Sequence, residues 1–420
     1  ATAALGDGKG GFRAVADSAK LPPTEIHIGA DLDGDGRVDL QMTHGDGGGR
    51  WYRSASVAGS PIFDATSVIA PQGRENALID IDRDGHLDWI HEDAREKRVV
   101  FELGDGKGNF RKSGGFETFK EASVIPIDLD GDRQIDFIVK QCGYHNEKIG
   151  QSRIMMNDSK GQFTDRTEGA GLGTGDGLTI QGVGDLDQDG SPDLICLEKG
   201  KTISIYLNDG KGHFKRLDAA ITGMEGVRGP AYANWGLAIV TDFDNDGVPD
   251  VLMNGRNFLY VLRGTGGGRL ACMNKAWNVG DNAWAAVDEG LCFGDIDGDG
   301  RLDLVTCAGT DKRKRVAVLR NDLPARRWLR VRPIGAAGNR PAAGAVVRLL
   351  EPGTGKLLWH EQVVIASRQT AHSYYSFGAT ERHFGLADRA AVDVRVEFYP
   401  SGKVVTQQGV KADQTIEVRE

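Results

Sequence analysis

The sequence contains an acidic nine-residue pattern whose residue types and spacing suit a metal ion. In its last copy the carboxylates are Asp295, Asp297, Asp299 and Asp303, at positions 1, 3, 5 and 9, and Gly300 stands at position 6. Carboxylates spaced in this way around a turn-forming glycine can direct their oxygens to one centre about 2.3–2.6 Å away, which suits Ca²⁺. The pattern therefore predicts a calcium-binding loop.

The pattern occurs six times, and we number the copies loop 1 (residues 31–39), loop 2 (80–88), loop 3 (128–136), loop 4 (185–193), loop 5 (242–250) and loop 6 (295–303). The predicted metal ligands of the first five loops are Asp31, Asp33, Asp35, Asp39, Asp80, Asp82, Asp84, Asp88, Asp128, Asp130, Asp132, Asp136, Asp185, Asp187, Asp189, Asp193, Asp242, Asp244, Asp246 and Asp250. Successive loops start 49, 48, 57, 57 and 53 residues apart. Periods in this range are typical of stacked supersecondary units such as propeller blades.

The residue at position 6 ranks the predicted calcium sites by their expected affinity. Five loops have glycine there, whereas loop 3 has Arg133. A side chain in the left-handed conformation costs about 1–2 kcal/mol, so we expect loop 3 to be the weakest of about six sites. Because clustered carboxylates repel one another without a cation, we interpret the calcium as a structural staple on which stability depends.

Composition excludes some classes of protein. The chain has 420 residues, of which 40% are apolar and 26% are charged, as in soluble globular proteins. It contains no run of 18 apolar residues, so we predict no membrane span. The net charge is −9, but the six loops hold 24 of the carboxylates. The acidity is therefore a metal-binding property and gives no support to a nucleic-acid partner.

The predicted metal also indicates a compartment. Extracellular calcium modules commonly bind at about 10⁻⁴–10⁻³ M, and resting cytosol holds too little calcium for weak sites of this kind. We therefore expect a secreted or periplasmic protein. Cys272 and Cys292 could close one loop in such an oxidising compartment, or could remain buried thiols.

The segments around each loop have the sequence pattern of short antiparallel strands. In the fifth repeat an apolar strand at residues 238–240 enters the loop, a second leaves it at 251–253, and a third follows at 258–262. A glycine-rich turn then leads to a fourth strand, and such turns occur at residues 104–110, 157–163, 208–214 and 264–270. Four antiparallel strands in about 50 residues predict one blade of a β-propeller.

The loop followed by the turn motif (N/G)DGxGxF resembles the FG-GAP or VCBS repeat of integrin-type propellers, over residues 1–325. The block 157–172 and the Trp235-Gly236 pair are similar to the cartilage acidic protein-like family. Residues 326–420 resemble the ASPIC/UnbV domain, through the segments 328–331, 344–348, 382–386, 394–398 and 400–403. The resemblance implies an all-β protein in which a propeller precedes a small β-rich, sandwich-like domain.

The number of blades depends on the N-terminus. Residues 4–12 repeat the glycine-rich turn without a metal loop before it. A terminal half-blade of this kind usually pairs with strands from the other end of the array, which removes an open edge. We therefore favour seven blades, closed by the N-terminal strands against residues near 315–350. Six blades with a separate hairpin is the alternative.

Candidate ligand-binding residues lie at strand ends and connections that should be opposite the calcium loops. They are Trp277, Trp284, Tyr232, Arg228, His44 and Glu198. Exposed aromatic side chains among polar neighbours suit stacking on sugar rings or anchoring of a protein partner. If the chain is an enzyme, the same face offers bases and cationic groups for a lyase or cyclase. These catalytic candidates are His91, Tyr144, His145, Lys140 and Arg256.

Three functions therefore stay open. The first is a secreted binding module for an extracellular glycan or protein, which the absence of GxSxG, HExxH, Walker and dinucleotide motifs favours. The second is an enzyme with its active site in the central funnel of the same face. The third is a calcium-dependent scaffold, and the fold alone does not choose among them.

Overall fold

The protein is built almost entirely of β-strands. The computed structural model describes residues 3–6, 12–15, 26–43, 49–54, 63–70, 76–93, 96–119, 122–141, 152–158, 161–172, 177–198, 202–225, 237–255, 258–276, 291–308, 315–366 and 380–420. Within these ranges the one helical element is a 3₁₀ turn at Ala337–Asn339. The predicted all-β class is confirmed. No helix among the described residues has the length and apolar composition needed to cross a membrane.

The repeat region consists of a hairpin and six sheets, which are antiparallel except for the parallel pair of β19 and β23 in sheet 5. The hairpin contains β1 (Ala3–Gly6) and β2 (Phe12–Val15). Sheet 1 contains β3 (Ile26–Ala30), β4 (Asp39–Thr43), β5 (Gly49–Ser54) and β6 (Phe63–Ala70), and sheet 2 contains β7 (Asn76–Ile79), β8 (Asp88–Asp93), β9 (Arg98–Gly104) and β10 (Phe110–Glu117). Sheet 3 contains β11 (Ala122–Ile127), β12 (Asp136–Gln141), β13 (Arg153–Asn157) and β14 (Phe163–Asp165), and sheet 4 contains β15 (Leu178–Gly184), β16 (Asp193–Glu198), β17 (Thr202–Asn208) and β18 (Phe214–Arg216). Sheet 5 contains β19 (Ile221–Thr222), β20 (Leu237–Thr241), β21 (Asp250–Gly255), β22 (Phe258–Gly266) and β23 (Arg269–Cys272), and sheet 6 contains β24 (Leu291–Gly294), β25 (Asp303–Ala308) and β26 (Arg315–Leu319). Each acidic loop connects two neighbouring strands of one sheet.

Burial decreases from the first strand of a sheet to the last. Every residue of β11 is buried, whereas β10 at the outer edge of sheet 2 is mostly exposed. The first strands of neighbouring sheets contact one another, as β7 does with β11 and β15 does with β20. The apolar first strands are therefore covered on both sides, which explains why they lack the alternation of half-exposed strands.

Aromatic side chains fill the space between sheets 2 and 3. Phe101 and Phe116 of sheet 2 meet Phe137 and Phe163 of sheet 3, with ring centroids 5.4–5.7 Å apart across the sheets. Phe163 ends a glycine-rich turn of the repeat motif, so the turn supplies a core residue. Edge and tilted ring pairs of this kind stabilise a core beyond their buried area.

The C-terminal unit (residues 327–366 and 380–420) has two sheets of its own. One contains β27 (Arg327–Ile334), β31 (Arg382–Ala387) and β34 (Gln414–Arg419). The other contains β28 (Val346–Leu350), β29 (Leu357–Gln362), β32 (Ala391–Glu397) and β33 (Val404–Lys411). Side chains of both sheets, including Leu329, Val347, Trp359 and Phe384, form one buried cluster.

One short strand of the C-terminal unit enters the repeat region. β30 (Ile365–Ala366) pairs with β7 in antiparallel register, with Ile365 opposite Leu78. The strand therefore extends sheet 2 at its first strand. Val364 and Ala366 belong to the same buried cluster as the first strands of the repeats.

The pairing of the N-terminal hairpin differs from our expectation. β1 and β2 pair with each other, β26 pairs with β25, and β27 and β28 pair with strands of the C-terminal unit. The described strands between residues 315 and 350 thus have partners other than the hairpin.

Cys272 carries a free thiol, with its Sγ atom 3.4 Å from Asn274 Oδ1.

Candidate metal centres

The aspartate at position 9 connects three strands in all six loops. One carboxylate oxygen accepts the backbone N–H of position 2 at 2.7–3.0 Å. The other oxygen accepts a backbone N–H at or near the end of the following strand, at 2.6–2.9 Å. All six position 9 side chains are buried. This residue therefore holds the sheet together in addition to facing the loop centre.

The remaining carboxylates shape the loop itself. At position 1, Oδ2 accepts the N–H of position 6 at 2.7–3.1 Å in every loop. At position 5, Oδ1 accepts the N–H of position 7 at 2.7–2.9 Å. These bonds turn the backbone so that the unbonded lone pairs face inward.

The inward oxygens fit a hard divalent cation. In loops 1 to 4, oxygens of positions 1, 3 and 9 lie within 4.8 Å of one another, and in loop 5 those of positions 1, 3 and 5 do so. The Oδ1 atoms of Asp31, Asp185 and Asp297 are buried and have no hydrogen-bond partner in the described part of the chain. Several oxygen donors, some with open lone pairs, suit Ca²⁺.

The electrostatics of the loops also call for a cation. Burial raises the pKa of the position 9 carboxyl groups, and neighbouring carboxylates raise it further against the effect of the backbone hydrogen bonds. The pKa rises to about 6 for Asp39, to about 7 for Asp88, and to about 8 for Asp136, Asp193 and Asp250. Carboxylates that are buried close together repel one another until a cation binds between them.

Sequence reasoning found one left-handed position in each loop, and the structure has two. Position 6 has φ between +81° and +95° at the five glycines and +68° at Arg133, as predicted. Position 4 is also left-handed in every loop, with φ between +55° and +79°. Non-glycine residues adopt this conformation at Arg83, Gln188 and Asn245. Loop 3 is therefore one of several loops that carry this backbone cost.

Arginines already pair with carboxylates in three of the loops. Arg53 lies 2.9 Å from Asp33 in loop 1, and Arg263 lies 2.7 Å from Asp244 in loop 5. In loop 6, Arg330 pairs with the buried Asp295. No arginine pair of this kind involves loop 2 or loop 4 among the described residues, so no guanidinium group competes with a cation for the carboxylates of these two loops.

The C-terminal unit contacts all six loops, which the sequence did not predict. The contacts are Arg340 to Asp31 (3.6 Å), the N–H of Leu87 to Gly338 O (3.1 Å), the N–H of Asp128 to Gln362 Oε1 (3.1 Å), Gln188 Nε2 to Leu358 O (2.6 Å), His383 Nε2 to Asn245 Oδ1 (2.7 Å), and the Arg330–Asp295 ion pair. The approach is close, since a side chain at Gly385 would begin 1.9 Å from Asp242 Oδ2. The unit thus covers the end of the sheets that carries the acidic loops.

The four non-glycine residues at left-handed positions of the acidic loops all take part in this cover. Arg83 donates to Pro400 O at 3.0 Å, and Arg133 pairs with Glu397 at 2.8 Å. Gln188 and Asn245 reach the unit through the bonds given above. A side chain that is unfavourable for the loop backbone therefore makes a contact between the repeats and the C-terminal unit.

The described catalytic candidates have different partners. His91 is fully buried, with Nε2 3.3 Å from Glu102 Oε1 and its ring stacked on Trp89 at 4.2 Å. Lys140 is also buried, and its Nζ donates to Gln181 Oε1 at 3.1 Å. The other candidates, Tyr144, His145 and Arg256, lie outside the described residues.

Glu198 is the one ligand-binding candidate in the described part of the chain. It accepts hydrogen bonds from Arg216 Nε at 2.8 Å and from the Tyr206 hydroxyl at 3.0 Å. Burial alone would raise the pKa of Glu198, but bonds from Arg216, Ser204 and Tyr206 outweigh that effect and lower it. His44, Arg228, Tyr232, Trp277 and Trp284 lie outside the described residues.

Comparison with known families defines the class of protein. Residues 185–253 and 242–306 match the FG-GAP-like repeat, and residues 335–420 match the ASPIC and UnbV domain. The chain therefore contains FG-GAP-like repeats and an ASPIC and UnbV domain, which confirms the predicted resemblance in these segments.

Individual relatives are more distant. The chain is 27% identical over 289 residues to cartilage acidic protein 1 of Mus musculus, which covers 61% of this chain and 39% of that protein. The Homo sapiens protein is also 27% identical, with 61% and 38% covered. The chain thus spans about two fifths of the length of the curated relatives that it matches.

Two solved lectin structures are also similar to this chain. A lectin of Agrocybe aegerita that recognises non-reducing terminal N-acetylglucosamine has 19% identity and a TM-score of 0.48, over 76% of this chain and 88% of that one. The SapL1 lectin, solved with alpha methyl fucoside, has 12% identity and a TM-score of 0.38, over 71% and 96%.

Proposed function

We propose that the chain is a secreted or periplasmic β-propeller, stabilised by calcium, that acts as a binding module for an extracellular glycan or protein. In this proposal residues 1–325 form the propeller and residues 326–420 form the ASPIC/UnbV-like β domain. Six sheets beside a separate hairpin support six blades over the seven that we favoured from the sequence, and loops 1 to 6 hold calcium between neighbouring strands of a blade. The burial gradient and the contacts among first strands support a radial arrangement.

The observation that carries the proposal is the cover on the six loops. Because the C-terminal unit occupies the end of the sheets that carries the acidic loops, a partner would have to use the opposite end. The calcium ions are then structural, since they lie beneath protein and away from the proposed ligand. When bound, each ion supplies positive charge that offsets buried carboxylates and thereby stabilises the folded state.

The residues proposed to contact the ligand are Trp277, Trp284, Tyr232, Arg228 and His44. Indole and phenol rings bury a large area with little loss of conformational freedom, which suits them to a sugar face or a protein anchor. Glu198, at the end of β16 away from loop 4, already accepts bonds from Arg216 and Tyr206. We therefore assign Glu198 to positioning Arg216.

A glycan-array screen in saturating calcium, followed by titration of the best ligand, tests this proposal. Trp277→Ala and Trp284→Ala should each weaken binding by about tenfold or more, as loss of an aromatic anchor does. Val404→Ala, which removes an exposed apolar side chain from the C-terminal unit, is the matched control and should leave affinity unchanged. Equal affinities for all three variants and the parent would refute the proposed face, provided that the melting temperatures agree.

A further inference from the structure

A cavity of about 330 Å³ lies where loops 2 and 3 meet the C-terminal unit. Three arginines from three separate elements line it: Arg83 of loop 2, Arg133 of loop 3 and Arg348 of β28. Specific ligand pockets begin at about 300 Å³, so the cavity is large enough for a molecule the size of a monosaccharide. It is on the covered end of the sheets and is thus separate from the proposed recognition face.

The positive charge of this cavity exceeds its available negative charge. Glu397 is shared by two guanidinium groups, with Arg133 at 2.8 Å and Arg348 at 3.3 Å. Asp128 also lines the cavity, but its oxygens accept the N–H groups of Gly131 at 2.8 Å and Arg133 at 3.0 Å. These bonds hold Asp128 in loop 3 but leave its charge, so three guanidinium groups face two carboxylates in the cavity wall.

Arg83 adds a positive charge to the cavity wall through a side chain that contacts neutral groups. Its Nη2 donates to the backbone oxygen of Pro400 at 3.0 Å, and its guanidinium lies 5.6 Å from the centre of the Tyr399 ring. Both contacts are to neutral groups, so they hold the side chain in place without forming an ion pair. The ring of Tyr399 forms part of the wall beside it.

The neighbouring strand of the same sheet places further positive charge next to Arg348. Arg395 of β32 is directly opposite Arg348 of β28 in the strand register. Its Nε atom is buried and has no hydrogen-bond partner among the described residues. Burial lowers the pKa of Arg348, and the charges of Arg395 and Arg133 lower it further against the effect of Glu397. Like charges opposite one another destabilise a sheet, and a bound anion would relieve that repulsion.

We propose that this cavity binds a small carboxylate-bearing ligand of monosaccharide size, with the uronic acids as the class that fits best. The planar guanidinium groups match a carboxylate in a two-pronged geometry that an ammonium group cannot reproduce. Arg133 and Arg348 bind the carboxylate in exchange for part of their contact with Glu397, and Arg83 faces it from loop 2. Tyr399 borders the sugar ring.

Calorimetric titration of the full chain with D-glucuronate, in calcium-saturated buffer, tests the inference. D-glucose is the matched control ligand, since it has the same ring without the carboxylate. Saturable binding of glucuronate with a Kd of about 1 mM or tighter, and no binding of glucose, is the expected result. Equal binding of both sugars, or of neither, would overturn it.

Variants that should change glucuronate affinity in opposite directions distinguish this cavity from other binding sites. Arg348→Gln and Arg133→Gly should each weaken glucuronate binding by about tenfold, and the glycine is the residue that the other five loops have at that position. Glu397→Gln removes the competing carboxylate and should tighten binding. Arg419→Gln, at an exposed site of β34, should change nothing. Binding that is insensitive to all of these changes but lost in chelator would place the carboxylate on a loop metal and refute the cavity.

Discussion

Replacing Asp193 tests whether position 9 holds the sheet together independently of any metal. Its two oxygens accept the N–H groups of Leu186 and Asn208, each at 2.8 Å, and all three residues are buried. Asp187 at position 3 of the same loop is only partly buried and accepts one longer bond, from the N–H of Asp189 at 3.2 Å. Asp193→Ala and Asp187→Ala therefore remove one carboxylate each from loop 4 but differ in the backbone groups left unpaired.

The size of this difference follows from the hydrogen bonds. A buried N–H that loses its acceptor costs about 1–3 kcal/mol, so two such groups should make Asp193→Ala about 2–6 kcal/mol more destabilising than Asp187→Ala. Urea unfolding of both variants in saturating calcium measures the difference. Hydrogen exchange on peptides that cover residues 186–208 should show faster exchange at Leu186 and Asn208 in Asp193→Ala alone. Equal loss of stability in the two variants would refute the double role of position 9.

Two further predictions concern calcium removal and pH. Chelation should free the C-terminal unit, so limited proteolysis should release a fragment that begins near residue 326 faster in chelator than in calcium; equal rates would contradict the cover. Glu361 is partly buried 3.6 Å from Arg382, and desolvation raises the pKa of its carboxyl from 4.5 to about 7. The folded state then binds a proton that the unfolded state has lost between these values, so the parent should lose stability as pH rises from 4.5 to 7. Glu361→Gln removes that loss. In urea titrations its free energy of unfolding, relative to that of the parent, should therefore rise by up to about 3 kcal/mol between pH 5 and pH 8. A difference that is independent of pH would exclude an ionising Glu361.

Features that depend on neighbouring residues were predictable from the sequence. The carboxylate spacing, the left-handed position 6 and the glycine-rich turns are local, because an aspartate bonds the backbone two to five residues away. The turn at residues 104–110 is an example, since Asp105 Oδ1 accepts the N–H groups of Lys107 and Asn109. The strand order within each repeat follows from these turns.

Features that join distant segments were not predictable in this way. Gln188 contacts Leu358 and Asn245 contacts His383, across separations of 170 and 138 residues. Nothing in the residue types of loops 4 and 5 indicates which part of the chain lies above them. A non-glycine residue at position 4 was the available signal, since its backbone cost implies a compensating contact. The buried partners of His91 and Lys140 were missed for the same reason, because burial of a polar strand end depends on the adjacent sheets.

The contacts between loops and C-terminal unit imply that calcium binding and docking are coupled, and Gln188 tests this coupling. Its side chain is not a carboxylate, its φ is +64°, and its Nε2 donates to Leu358 O at 2.6 Å and to Gly247 O at 2.9 Å. Gln188→Gly relaxes the loop backbone but removes both bonds, which are worth about 0.5–1.5 kcal/mol each.

The two effects predict opposite changes in calcium affinity. If loop 4 acts alone, a relaxed backbone should bind calcium as tightly as the parent or more tightly. If docking and calcium binding are coupled, the loss of docking free energy weakens calcium binding. A coupling free energy of 1 kcal/mol should raise the calcium Kd about fivefold or more. Calcium titration of the full chain, with Arg419→Gln as the control, decides between these outcomes. Weaker binding is the result that we expect, because docking covers every loop and each ion would stabilise the same surface that the C-terminal unit contacts.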